Sequence, residues 1–348
     1  MLKVYTLEKA TKWDAIVSAF NNYDVYYLSG YVKSFKIHGD GEPLLFYYEG
    51  DGLRGINVVM KRDISMCEYF KNFLPKNTYF DFSTPYGYGG WLLEGDFSNT
   101  EDLFLEYEKW CKENNIVSEF VRFHPVLENA EFSKNNYDVV PLGNTVCLDI
   151  SEPEVIWANI TSKNRNVIRK AEKSGVEIKI SQTQDIYEKF TEIYNKTMLH
   201  DEADEYYFFG KEFYDSIRQD LQQNAKVFYA ELEGKIIAAS IMIEANDKLN
   251  YHLSGSLFEY RSYAPSNLLL YKAALWGSEK GLKTFHLGGG VGSGEDSLFK
   301  FKKSFFRGEE LTRFSIGKKI FNEYEYNRLV NLREETESNF FPKYRANL

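Results

Sequence analysis

The chain has 348 residues, enough for two domains or one large one, and either size buries a proper core. Charged residues make up 27 % and aromatics 17 %, with 26 Tyr and 27 Phe, which excludes a disordered composition. A formal net charge of −9 excludes a protein that coats nucleic acid non-specifically, though not a local basic patch.

Cys67, Cys111 and Cys147 are odd in number and show no CxxC spacing, so neither a disulfide framework nor a structural zinc site is expected. The sequence holds no GxxxxGK[ST], no HExxH and only five histidines, which argues against a phosphotransferase or a metal hydrolase. The start, MLKVYTLEKATKW, lacks an apolar leader core, and the longest aliphatic run, IIAASIMI (236–243), falls short of the roughly 20 residues of a membrane helix. A cytoplasmic protein with no integral membrane segment and no bound metal is expected.

In chain order, "LLFYYEGDGLRGINVVM" (44–60) has a partner, "KVFYAELEGKIIAASIM" (226–242), at a constant offset of 182. Both read as strand, glycine turn, strand. Next, "FDFSTPYGYGGWL" (80–92) predicts a sharply turned loop carrying Tyr86 and Tyr88, either an ordinary turn or the wall of a binding cleft. A helix with Trp110 then leads to the strand "VSEFVRFHPVL" (117–127), and a helix with Trp276 leads likewise to a strand ending in His286. The offset drops to about 165 here, so the first half carries an insertion near "SMCEYFKNFLPKN" (65–77). Period-2 alternation sets Arg122 and His124 on one face, where they grip a carboxylate or phosphate, or pair with nearby acids.

Two echoes in the same order point to a duplicated α/β architecture: residues 1–150, residues 151–320, and a helical tail over 321–348. The second half opens with a helix signature at Ser151, Pro153 and Glu154. The following basic helix has Arg165, Arg169 and Lys173 every four residues, and residues 161–180 hold six Lys/Arg against two Glu. That stripe is either a solvated face or an anion site.

"YHLSGSLFEYRSYAPSNLLLYKAALWG" (251–277) reads as strand, loop, helix, with Tyr251, Arg261 and Asn267 as candidate contacts. Acyl-CoA-dependent acetyltransferases keep a glycine-rich pyrophosphate loop at this position. Here the loop holds no glycine, and Pro265 removes an N–H donor, so a donor other than coenzyme A becomes credible. Finally "HLGGGVGSGEDSLFKFKKSF" (286–305) carries Gly288, Gly289 and Gly290 to a sheet rim, followed by Asp296. Alternation in "LFKFKKSF" reads as a strand that turns at least one of Lys300, Lys302 and Lys303 to a cleft, as an oxyanion partner or a phosphate grip. The other reading is an edge strand guarded by lysines. For a general base, Glu244, Asp296 and His286 compete.

The segments "STPYGYGG", "VSEFVRFHP", "WANITSKNRNVIRKAEKSGV" and "HLGGGVGSGEDSLFKFKKSF" resemble the Fem peptidyltransferase superfamily, lipid II-directed aminoacyl transferases with acetyltransferase-like relatives. The resemblance spans nearly the whole chain. It implies two tandem GNAT-like domains with a cleft between them, in which an acceptor amine attacks an activated acyl group. On that pattern Lys302, backed by Lys303, meets the donor's 3′ end or the tetrahedral intermediate. The matching region of the first half then cradles the acceptor. The co-substrate implied is aminoacyl-tRNA, with acetyl-CoA as the alternative, and no tightly bound cofactor. The acceptor is a cell-wall peptidoglycan precursor or a nucleotide sugar. A non-catalytic nucleotide-sugar-binding protein is the third reading. No extended heptad segment is present, so the long two-helix arm of some members is not expected.

Overall fold

The computed structural model describes residues 1–97, 100–333 and 339–346. The chain begins with β1 (Leu2–Tyr5), α1 (Ala10–Val17), α2 (Ser29–His38), β2 (Glu42–Gly50) and β3 (Leu53–Asp63). There follow β4 (Phe80–Ser83), β5 (Leu92–Gly95), α3 (Glu101–Glu113), β6 (Ile116–Arg122) and β7 (Asp138–Asp149). Then come α4 (Pro153–Asn159), α5 (Ser162–Lys173), β8 (Glu177–Ser181), α6 (Gln184–His200) and α7 (Lys211–Asp220). The remaining elements are β9 (Ala225–Leu232), β10 (Lys235–Ala245), β11 (Lys248–Ser256), α8 (Pro265–Glu279), β12 (Thr284–Gly288), α9 (Ser297–Lys303), β13 (Thr312–Ile320) and α10 (Glu323–Asn331). None of the described helices is long and apolar enough to cross a membrane.

The chain forms two compact units, Met1–Leu142 with Arg313–Leu348, and Gly143–Thr312. The last segment therefore returns to the first unit. In that unit the strand order is β1-β2-β3-β4-β6-β13, with β5 also on β3; β4 and β6 run parallel and the other pairs antiparallel. In the second unit the order is β7-β12-β11-β10-β9-β8, with only β11 and β12 parallel.

The internal echo in the sequence has a structural counterpart. Both hairpins close on two residues with positive φ, Asp51 (50°) and Gly52 (77°) in one, Glu233 (50°) and Gly234 (78°) in the other. Left-handed backbone at both positions matches the strands' own twist, so the turn sets the register. In each unit a helix bridges the parallel pair and sends its Trp edge-on into the hairpin. Trp110 meets Phe46 at 4.9 Å and Trp276 meets Phe228 at 5.4 Å, the two Phe being residues matched at the offset of 182. The insertion expected near 65–77 lies in the β3–β4 connection, as short 3₁₀ turns; β10 and β11 are joined by Asn246 and Asp247 alone.

Two expectations fail locally. Helix α4 starts at Pro153 with Glu152 at its cap, while Ser151 donates its hydroxyl to Asp149 at 2.7 Å instead of capping. The "LFKFKKSF" stretch is helix α9, not a strand, because the Asp296 carboxylate accepts the Phe299 N–H at 2.8 Å and nucleates a turn. Phe299 and Lys302, three apart, form its buried face.

Candidate functional site

In the second unit β11 and β12 pair only through Lys248–Thr284, Leu249–Phe285 and Asn250–His286. Beyond that rung β11 continues on β10 to Ser256, while β12 stays on β7 and ends at Gly288. Two parallel strands that stop pairing leave an opening at their carboxyl ends, where the sheets of α/β folds commonly take ligands.

The glycine loop begins at this opening. Gly288 has φ +77°. A Cβ on Gly290 would lie 2.3 Å from an Asp296 carboxylate oxygen and 2.4 Å from the Gly294 carbonyl, so only glycine fits. Asp296 clamps the loop from inside, accepting the N–H of Val291 at 3.0 Å as well as that of Phe299. Those two N–H donors, helped by Lys302, hold its carboxyl below the usual range. Lys302 is 8 % exposed and donates from Nζ to the Gly289 carbonyl at 2.7 Å, with the Tyr251 ring centroid 5.8 Å away. Burial brings its pKa down to about 8, against the opposing pull of Asp296. The other two lysines of α9 go elsewhere: Lys300 is exposed, and Lys303 donates to the Gly308 carbonyl beside the Phe306 ring.

Gly288, Gly289, Gly290, Tyr251, Asp296 and Lys302 thus form one cluster. The remaining candidates of this unit have partners of their own. Glu244 is bound to Lys226 at 2.6 Å, Arg261 lies 4.6 Å over the Phe258 ring, and Asn267 donates to Asn164 at 2.8 Å. Arg165 and Arg169 lie on α5 with guanidinium groups 6.0 and 5.1 Å from the Trp157 ring, and Trp157 in turn meets Tyr271 at 5.0 Å. Pro265 is the first residue of α8, after Ala264 at φ +50°, so the helix start presents one N–H fewer to an anion.

Tyr86, Tyr88, Arg122 and His124 all belong to the first unit. The loop that carries the tyrosines is held by α2: Tyr31 donates to the Tyr86 carbonyl at 2.7 Å and Phe35 stacks on Tyr86 at 5.4 Å. Arg122 donates to the Gly87 carbonyl at 2.9 Å and lies 4.8 Å over Phe314. His124 is fully buried, its Nε2 2.9 Å from the Asp24 carboxylate. Asp24, Tyr26 and Phe314 therefore complete this cluster. No local pattern marks them in the sequence, since Asp24 and His124 are 100 residues apart.

A model of the acetyltransferase (GNAT) domain matches residues 160–303, inside the second unit. The crystal structure of FemX aligns at a TM-score of 0.67 and 15 % identity, over 94 % of this chain and 99 % of that one. The chain has a Fem-like GNAT fold. A Bacteroides thetaiotaomicron protein of unknown function also aligns, at TM-score 0.57 and 13 % identity, over 91 % of this chain and 99 % of that one. So does the C-terminal domain of a candidate lysylphosphatidylglycerol synthetase from Agrobacterium fabrum, at 0.55 and 14 %, over 92 % of each chain. No curated protein matches the sequence. Among the described residues no group of three or more His, Cys, Asp or Glu is arranged for a metal ion.

Proposed function

We propose that this Fem-like chain is an acyltransferase. It forms an amide on an amino group of a cell-wall peptidoglycan precursor, or a related sugar or peptide acceptor, with aminoacyl-tRNA as donor. The observation that carries the reading is the buried Lys302 ammonium on the Gly289 carbonyl, at the mouth of the β11–β12 opening. A carbonyl attacked by an amine becomes an oxyanion, and a fixed cation in a poorly solvated place stabilises it far better than water does. Lys302 is the lysine the motif resemblance assigns to this role. Its position on the buried face of α9, with Asp296 pinning both loop and helix, is what preorganisation requires.

Two features support tRNA as the donor. The α5 face of Lys163, Arg165, Arg169, Lys170 and Lys173 is a concentrated positive patch on a protein of net charge −9. The α8 start also lacks the full set of N–H donors that a pyrophosphate seat uses. The second reading, acetyl-CoA as donor to a nucleotide sugar or surface polysaccharide, is favoured by the GNAT domain match.

Incubation with charged tRNAs and, separately, with acetyl-CoA, each with amino-sugar and peptide acceptors, tests both by mass addition. The tRNA reading expects aminoacyl adducts whose rate of formation falls 10²-fold or more between about 50 and 200 mM salt, since several phosphate contacts are lost. Acetyl adducts with weak salt dependence would establish the second reading, and adducts from neither donor would overturn both.

A further inference from the structure

The corner between α4 and α5 brings rings and cations together on the second unit. Trp157 of α4 meets Tyr271 of α8 at 5.0 Å between centroids, and both rings pack on the apolar core while staying half-buried. Two guanidinium groups of α5 lie over the indole, Arg169 at 5.1 Å and Arg165 at 6.0 Å from its centroid. Like charges four residues apart on one helix repel, so their gathering at one ring needs a cause.

No acid nearby supplies it. The two guanidinium groups donate only to neutral oxygens, Ser162 Oγ at 3.2 Å and Asn166 Oδ1 at 3.4 Å. Among the described residues, none of Lys163, Arg165, Arg169, Lys170 and Lys173 pairs with a carboxylate, while Glu172 of the same helix is taken by Lys272 of α8 at 2.8 Å. What the indole does provide is support: it holds a guanidinium plane by cation–π attraction. Aromatic rings and guanidinium planes are the surfaces on which unpaired bases of RNA stack.

This corner is tied to the end of α9. The Thr161 N–H donates to the Ser304 carbonyl at 3.0 Å, and the Arg307 N–H to the Asn159 carbonyl at 2.8 Å. Trp157 lies shortly before Thr161 and Lys302 shortly before Ser304, so the indole is within about 27 Å of Lys302 even with both stretches fully extended. A few unpaired nucleotides cover that distance.

We propose that Trp157 and Tyr271, with Arg165 and Arg169, seat an unpaired nucleobase of the donor RNA near its aminoacylated 3′ end. The inference rests on the tRNA reading above. The base stacks on the ring and guanidinium surface, and the guanidinium N–H groups take oxygens of the flanking phosphates. Cations recur along α5 from Lys163 to Lys173, about 15 Å of helix, which suits a strand with successive phosphates rather than the single nucleotide of coenzyme A.

The probe is a fluorescein-labelled tetraribonucleotide, rACCA, titrated with the whole protein and read by anisotropy, with no acyl group present. Trp157→Ala is expected to weaken binding about 5- to 150-fold, the worth of one stacked base, and Trp157→Phe to restore most of it. Trp157→Leu, which keeps apolar bulk without a ring, takes the place of the alanine variant should that not fold. Arg165→Gln and Arg169→Gln should each flatten the slope of log affinity against log salt by about 0.7. A longer blunt RNA duplex, whose bases are already stacked on one another, should ignore Trp157→Ala. No binding of rACCA, an affinity that ignores Trp157, or an equal loss on the duplex overturns the proposal. Mass addition from charged tRNA, run beside it, keeps the two readings apart. Aminoacyl adducts with an rACCA affinity that ignores Trp157 leave the tRNA reading standing, whereas acetyl adducts alone sink both.

Discussion

Lys302 is the residue whose chemistry is out of keeping with a purely structural role. A buried ammonium with its pKa at about 8 binds its proton less tightly in the native state than in the unfolded chain, where lysine titrates near 10.5. Between those values the unfolded chain holds more protons, so this group's contribution to stability improves as pH rises from about 8 to 10.5. Below about 8 the full cost stands, about 3 kcal/mol. Lys302→Met is accordingly expected to be no less stable than wild type at pH 7 and up to about 3 kcal/mol more stable, the difference shrinking toward pH 10. Urea unfolding at the two pH values checks it. The same variant should lose about 10²–10³ in kcat, the scale of one oxyanion partner. The pH profile of kcat/KM should fall above about 8, where the lysine loses its charge. In Lys302→Arg that descending limb should vanish, because guanidinium stays charged.

At the scale of elements, α9 and its glycine loop act as one piece through Asp296. Asp296→Ala removes the acceptor of both Val291 and Phe299 N–H and should cost about 1 kcal/mol. Because Lys302 is carried by that helix, kcat should drop more than stability does, as steady-state kinetics beside thermal melts would reveal. The same helix marks where the sequence was hard to read. The alternation of Phe299, Phe301 and Lys303 with Lys300 and Lys302 covers too few residues to separate a period of 2 from 3.6. The discriminating signal is Asp296 three residues before Phe299, a helix cap. The twin hairpins, by contrast, were legible because their turns demand φ > 0, which restricts residue choice at Gly52 and Gly234. His124 and Asp24 were not, since a buried hydrogen-bonded pair across 100 residues leaves no local periodicity. Gly289 and Lys302 are close in the chain and meet in the structure, whereas Glu244, Arg261 and Asn267 have partners that only the tertiary structure discloses.

For the whole molecule, the decisive contact is made by the far end of the chain. Asp81 of β4 is fully buried and bound by Arg345 at 2.5 Å, Arg62 at 2.8 Å and the Tyr344 hydroxyl at 3.1 Å. Burial works against its charge, and the two arginines outweigh it, so the carboxyl stays below the ordinary range. Arg345→Ala leaves Arg62 in place and is expected to cost about 3 kcal/mol, measurable by chemical denaturation. Residues 143–312 are continuous in sequence and should fold when produced alone, whereas 1–142 alone lacks β13 and two Asp81 partners, Tyr344 and Arg345, and should not. Amide exchange on the two fragments distinguishes these outcomes.

The return of residues 313–348 to the first unit also dictates a timetable. During synthesis residues 143–312 are complete before residues 313–348 have been made, while residues 1–142 wait, exposed, for that segment. A nascent chain stalled before residue 313 would hold a finished second unit and an unfinished first one, so chaperones should engage residues 1–142 for longest.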